Sequence, residues 1–400
     1  MDERAHRRAL TLATVAFFTC FFAWSLLGPL GPDLQDHLGL SEFELSVMVA
    51  VPVLLGSVMR IPMGILTDRH GGRRVFTALM GFTLLPLIGL AIWHDSYPAV
   101  LGFGFLLGFA GSSFAIGVPF VNGWFPAGRQ GFALGVYGVG MGGTVLGGLT
   151  APKIVDASGL GAPFLVAAGA LAVVMVAFAL LARDAPRAQA QPRSKSFLAP
   201  LAVFRRNRRA WALTLFYFLS FGGFVAMFLY LPKLLTGVHD LTKTDAGARA
   251  AGFALLAVIA RPIGGWLSDR IGAERVLRAS FAATALLALA LAAFYDEMVP
   301  LTIACLTLAV AFGLGTGAVF KLVAQWFPTQ VGAVTGVVGA AGGLGGFFPP
   351  LVMAIVKEAT GSYTLGFVAL AAVAVASLGV LTTLSRGRPE EAARTEPVAA

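Results

Sequence analysis

Twelve predominantly apolar runs, each close to twenty residues long, constrain this chain more than any other feature. A helix rising 1.5 Å per residue needs roughly 20 such residues to cross a hydrocarbon core about 30 Å thick. The runs predict helices over 9–30, 44–66, 75–93, 97–121, 131–153 and 161–182, then over 210–235, 246–267, 276–294, 299–325, 331–356 and 362–384. Composition agrees, with 57% hydrophobic and only 12% charged residues, about half the charged share of a soluble domain. The 49 glycines suit helices packed through small residues. Cys20 and Cys305 both lie inside apolar runs, so neither a disulfide framework nor a thiolate metal site is read. Arg4, Arg7 and Arg8 precede the first run as in a signal peptide. That run is too long for one, however, and no small-residue cleavage pattern follows, so it is expected to be the first membrane helix.

Residues 184–209, rich in Arg, Pro and Gln, separate two sets of six helices. The expected organisation is a bundle over 1–183, a cytoplasmic linker over 184–209, a second bundle over 210–385 and a cytoplasmic tail over 386–400. A net charge of +9 would raise nucleic-acid binding in a soluble protein. Here most of the 29 Lys and Arg fall in segments on the N-terminal side of the membrane, which predicts that both termini are cytoplasmic. The outer loops hold Lys153, Lys233, Lys243, Arg249 and Lys357, while Arg60, Arg261 and Lys321 lie inside spans.

The two sets are related in sequence. Arg60-Ile-Pro-Met-Gly64 through Thr67-Asp68-Arg69-His70-Gly71-Gly72-Arg73-Arg74-Val75 recurs 201 residues later as Arg261, Gly265, Ser268-Asp269-Arg270, Gly272, Arg275 and Val276. At the same offset Gly131, Gly135, Gly138 and Gly142 match Gly332, Gly336, Gly339 and Gly343, and Trp124-Phe125-Pro126 recurs one residue out of phase at Trp326-Phe327-Pro328. Two parallel six-helix repeats resemble the major facilitator architecture, an all-α membrane fold of twelve helices in two pseudo-symmetric bundles.

Four groups of residues carry chemistry. Asp68, Arg69, Asp269 and Arg270 sit where the second and eighth helices reach the cytoplasm. The stretch Gly64 to Arg74 resembles the major facilitator loop motif, and Asp68 can pair with cations or helix ends as a cytoplasmic gate. Arg60 precedes Asp68 by eight residues, about 12 Å along a helix, which places it near mid-membrane, with Arg261 equivalent by the repeat. An arginine stays protonated there and needs partners. With no Asp or Glu in the central parts of the spans, an anion is expected to complete the pair. Gly332, Gly336, Gly339 and Gly343 recur at spacings that share one helix face, as do Gly135, Gly138 and Gly142, and such faces let neighbouring helices approach and slide. Lys321, seven residues before Pro328, is expected either as a proton-coupling group or third anion ligand, or as a lysine reaching back to the interface.

On these arginines and on Gly332-Ala-Val-Thr-Gly336-Val-Val-Gly339-Ala-Ala-Gly342-Gly343-Leu-Gly345-Gly346-Phe347-Phe348-Pro349-Pro350, the chain resembles the nitrate/nitrite porter family of the major facilitator superfamily. The resemblance implies that Arg60 and Arg261 hold the anion, that Tyr217 and Phe221 line the pocket from helix 7, and that Phe114 lines it from helix 4. Two positions depart from the family pattern: Met141 and Ser113 stand where asparagines are usual. The implied activity is nitrate or nitrite transport by alternating access, in nitrate assimilation, across a bacterial-type cytoplasmic membrane. It would run either as nitrate/nitrite antiporter or as nitrate/proton symporter. A carrier for formate, oxalate or a sugar phosphate would share the paired cations, and a membrane anion sensor would bind without moving its ligand. No nucleophile–base set or metal cluster is read, so an enzyme, a metal and a cofactor are not expected. The expected partners are the anion, protons and the lipid bilayer, with a monomer as the working unit and no nucleic acid.

Overall fold

The computed structural model describes residues 3–185, 202–346, 348, 356 and 360–386. Among these every regular element is a helix. The first half contains α1 (Glu3–Trp24), α2 (Val47–His70), α3 (Gly72–Ile92), α4 (Tyr97–Trp124), α5 (Ala127–Ser158) and α6 (Ala162–Leu181). The second contains α7 (Arg208–Pro232), α8 (Lys243–Ile271), α9 (Ala273–Phe294), α10 (Met298–Trp326), α11 (Val331–Gly345) and α12 (Thr364–Arg386). Ten of these are long and apolar enough to cross a membrane; α11 is a shorter apolar helix, and α1 begins on its arginines. Helix α1 starts six residues before the expected boundary and stops at Trp24, because Gly28 and Pro29 follow; Gly31–Leu38 is then a separate short helix. Most of the expected linker, the tail beyond Arg386 and much of the run after Gly346, Lys357 included, lie outside the described residues.

Large apolar side chains such as Val173, Leu180 and Leu286 point outward, as lipid contact requires and water would penalise. The interior is built from close approaches. Helix α2 packs on α11, and α5 on α8, so each half contributes two helices to crossings that join the halves. A Cβ on Gly64 would collide with the Gly332 carbonyl, and a Cβ on Gly265 with the Gly131 carbonyl. The 201-residue repeat therefore makes one glycine-to-glycine crossing twice, with the roles of the halves exchanged. Where α2 and α8 end, Gly71 (φ 85°) and Gly272 (φ 93°) take the same left-handed backbone, which a side chain would strain.

Four glycines of α11 face α2: Gly332 meets Gly64 and Asp68, Gly336 meets the Arg60 carbonyl, Gly339 meets the Arg60 side chain, and Gly343 meets Ser57 first and Arg60 beyond it. On α5, Gly131, Gly135 and Gly138 face α8. Gly142 does not; it turns to the Phe18 ring of α1. The reason is the 3-10 segment Val139–Gly142, whose three residues per turn break the phase of the face. Helix α4 carries a similar 3-10 segment at Gly108–Ser112, and α7 a π-helical turn at Phe218–Gly222.

Candidate functional site

These irregular turns converge on the two arginines. Arg60 and Arg261 are 3% and 4% exposed, and among the described residues neither has a carboxylate within ion-pair distance. A cation held at mid-membrane without compensation costs about 3 kcal/mol or more, so the polar contacts of each matter. Arg60 donates from Nε to the Gly111 carbonyl at 3.2 Å and from Nη1 to the Gly339 carbonyl at 2.5 Å. The first acceptor lies within the 3-10 turn of α4, and the second is on the glycine face of α11. Arg261 repeats the second contact, donating from Nη1 to the Gly138 carbonyl of α5 at 3.4 Å, but its buried Nη2 has no partner. One arginine is thus tied on both sides, while the other retains an unused donor.

An aromatic wall separates and frames them. The Phe221 ring lies 5.7 Å from the Arg60 guanidinium carbon and 5.3 Å from that of Arg261, so one ring is flanked by both cations. Tyr217 stacks on Phe221 with centroids 5.1 Å apart, and on Phe114 at 6.2 Å. The π turn after Tyr217 widens α7 and presents Tyr217 and Phe221 together. A small cavity opens beside Arg261, lined by Phe114, Leu134, Gly138, Tyr217, Thr316 and Phe320 among others. Arg60, Arg261, Tyr217, Phe114 and Phe221 are therefore brought into one layer. Ser113 donates to the Ala110 carbonyl and Met141 is buried, so neither replaces the donor of a missing asparagine.

Several site residues lay outside the sequence reading. Phe320 packs edge-on against both Phe114 and Tyr217 at 4.7 Å. Tyr137 donates to the Ser113 carbonyl at 2.9 Å and stacks on Phe114. Thr316 lines the same cavity as Phe114. The one-residue phase shift between the Trp-Phe-Pro motifs pairs Phe114 with Thr316, and that pairing carried the signal.

The end of the bundle bearing Asp68 and Asp269 is closed by a pair of matching contacts. Asp68 accepts from the backbone N–H of Gly332 and Ala333 at 3.0 and 2.9 Å, at the N-terminus of α11. Asp269 accepts from Gly131 and Phe132 at 3.0 and 2.8 Å, within α5. Carboxylates at exposed helix N–H groups are a favourable pairing. Arg270 is not part of this closure, since its guanidinium lies over the Trp266 ring of its own helix at 4.2 Å. Arg69 follows Asp68 at the same end.

Lys321 corrects one expectation. It is only 2% exposed, so it does not reach back to a surface. Its Nζ donates to Asp269 Oδ1 at 2.5 Å and to the Ala127 carbonyl of the other half. Asp269 belongs to the loop motif in sequence but to the buried interface in space, which is why the lysine has a carboxylate partner. The two gates are consequently unequal: Asp269 has a buried lysine, and Asp68 has only backbone donors among the described contacts.

This architecture defines a class. A model of the Major Facilitator Superfamily matches residues 13–248 and 234–400, and the chain belongs to that superfamily. Solved structures share the fold: the human organic anion transporter MFSD10 superposes with a TM-score of 0.79 at 18% identity, covering 95% of this chain and all of that one. The proton:xylose symporter XylE superposes with 0.80 at 12% identity, covering 96% of each. Within the superfamily, the chain is 43% identical over 98% of its length to a probable nitrate/nitrite transporter NarK2 of Mycobacterium tuberculosis, covering 100% of that protein. It is 38% identical to the nitrite extrusion protein of Bacillus subtilis, covering 94% of each, and 35% identical to a probable nitrate transporter NarT of Staphylococcus epidermidis, covering 96% of this chain and 97% of that protein.

Proposed function

We propose that this chain is a transporter, not an enzyme, and that it moves nitrate and nitrite across the membrane by alternating access, with Arg60 and Arg261 as the anion clamp. The observation that carries the reading is the pair of buried guanidiniums with no carboxylate partner among the described residues. The names of relatives at 35–43% identity over nearly their full lengths support the same substrates. Tyr217, Phe221 and Phe114 wall the site, and a flat ring suits a small planar anion. The guanidinium fork offers paired hydrogen bonds to an oxyanion, and the free Nη2 of Arg261 is the first donor available to it.

Alternating access then follows from the two unequal gates. The clamped anion draws α2 and α8 together, the glycine crossings of α2 with α11 and α5 with α8 slide, and the contacts of Asp68 and Asp269 break on opening. An empty site keeps two uncompensated charges, which disfavours the return of an empty carrier; exchange of nitrate for nitrite is the resulting mode. Lys321 acts within the Asp269 gate, so it is not needed as a coupling group. The distribution of Lys and Arg supports a cytoplasmic location for both termini and for the Asp68/Asp269 end, in a bacterial-type inner membrane.

The test is radiolabelled nitrate uptake into proteoliposomes preloaded with nitrite, with chloride, or poised with a proton gradient. Stimulation by internal nitrite alone is expected. Stimulation by the proton gradient alone replaces exchange with symport, and no nitrate flux in any arm defeats the substrate assignment.

A further inference from the structure

Thr335 is the one hydroxyl on the glycine helix α11 that is both fully buried and without a partner among the described residues. Helical threonines here ordinarily satisfy themselves by donating to the carbonyl four residues back, as Thr67, Thr83, Thr214 and Thr284 do. Thr335 does not bond the Val331 carbonyl, although it lies within the same regular helix. A buried hydroxyl left unbonded is destabilising, so its position calls for a partner that comes and goes.

Its place on the helix says which. Thr335 precedes Gly339 by four residues and Gly342 by seven, and residues at those spacings lie above one another on a helix. Gly339 touches the Arg60 side chain, and Gly342 touches the rings of Tyr217 and Phe221. Thr335 therefore occupies the strip of α11 that faces the arginine–aromatic layer, one turn nearer the Asp68/Asp269 end. Its counterpart in the repeat, Leu134, lies one turn before Gly138 and lines the cavity beside Arg261. Two positions equivalent by the repeat thus lie one turn below the arginine layer, one apolar and one carrying an unused donor.

We propose that Thr335 is a relay ligand, whose hydroxyl donates to an oxygen of the nitrate or nitrite as the anion passes between the arginine pair and the opened Asp68/Asp269 end. In the closed arrangement that segment of path is collapsed and the hydroxyl has no partner. Once the crossings slide, it is the first neutral donor the anion meets on leaving the guanidiniums, and a single neutral donor binds weakly enough to release it. The proposal rests on the arginine pair being the anion site, and the experiment separates the two.

Thr335→Val, Thr335→Ser and Arg60→Ala are compared in full-length protein reconstituted with known sidedness, measuring the nitrate KM for nitrate/nitrite exchange from each face. Thr335→Val keeps shape and removes only the hydroxyl, so it should fold normally. The expected result is a KM raised about tenfold from the face at which the Asp68/Asp269 end opens, unchanged from the other face, and restored to within about twofold by Thr335→Ser, since a hydrogen bond to a charged group is worth at least that factor. An unchanged KM from both faces, or an equal rise from both, overturns the relay. Abolished exchange in Arg60→Ala beside an unchanged Thr335→Val defeats the relay alone, whereas near-normal exchange in Arg60→Ala defeats the arginine site beneath it.

Discussion

Replacing Asp269 with asparagine should damage the protein far more than the same change at Asp68, although the repeat makes the two residues equivalent. Both carboxylates accept two backbone N–H groups across the boundary between the halves. Only Asp269 also holds a lysine, at 2.5 Å, with side chains 3% and 6% exposed for Lys321 and Asp269. Asp68→Asn weakens hydrogen bonds to a charged acceptor, a loss of about 1–3 kcal/mol. Asp269→Asn does this and also strands a buried ammonium, for which removal of one partner costs about 3–5 kcal/mol. Taking away the lysine as well, in Asp269→Asn with Lys321→Met, removes the stranded charge and should recover at least about 2 kcal/mol as coupling between the two sites. The assay is thermal unfolding of purified protein in one detergent, run as a double-mutant cycle with Asp68→Asn as the symmetric control. Equal losses at Asp68 and Asp269, or no coupling between Asp269 and Lys321, would refute the inference that the gates differ in strength.

Three further outcomes follow from the same geometry. Gly64→Ala drives a methyl group into the Gly332 carbonyl, an overpacking cost of about 1–3 kcal/mol borne only by the closed gate; a cysteine placed at Leu134 should then be alkylated faster from the Asp68 end. Phe221→Ala removes the ring between the guanidiniums and should weaken nitrate binding by roughly tenfold, about 1.4 kcal/mol, measurable by calorimetry. In the loop between α3 and α4, a hydrogen bond from His37 at 2.6 Å, followed by the nearby His94, holds the Asp95 carboxyl below the usual carboxylate range. A depressed carboxyl stabilises above its unfolded pKa of roughly 4 and loses that contribution as pH falls through its lowered value. The difference in melting between wild type and His37→Ala should therefore be present at neutral pH and disappear in acid.

The fold was legible because membrane helices announce themselves by length, and because the repeat is ungapped from Arg60 to Val75. The same register places Arg60 and Arg261 at one depth, and the absence of acidic residues nearby makes an anion the expected partner of the pair. What the sequence left obscure has physical causes. An unbroken 3.6-residue period puts Gly142 on the glycine face, whereas a four-residue 3-10 segment turns it onto Phe18. Lys321 and Asp269 are 52 residues apart on different helices, and nothing in either helix's own pattern reveals their pairing. Phe320 and Tyr137 are aromatic residues in a chain with 32 Phe, where pattern alone does not distinguish a pocket wall from a core. The unbonded hydroxyl of Thr335 is a property of three-dimensional packing and has no sequence signature.

The central claim is that two buried arginines hold the transported anion, and nitrite-driven uptake of labelled nitrate by proteoliposomes carrying Arg60→Lys or Arg261→Lys tests it most directly. Lysine keeps the charge but loses the planar fork, so a site built on paired hydrogen bonds predicts loss of uptake by at least a hundredfold, on the order of 3 kcal/mol, in each variant with folding intact. Near-normal uptake by either variant would contradict the account.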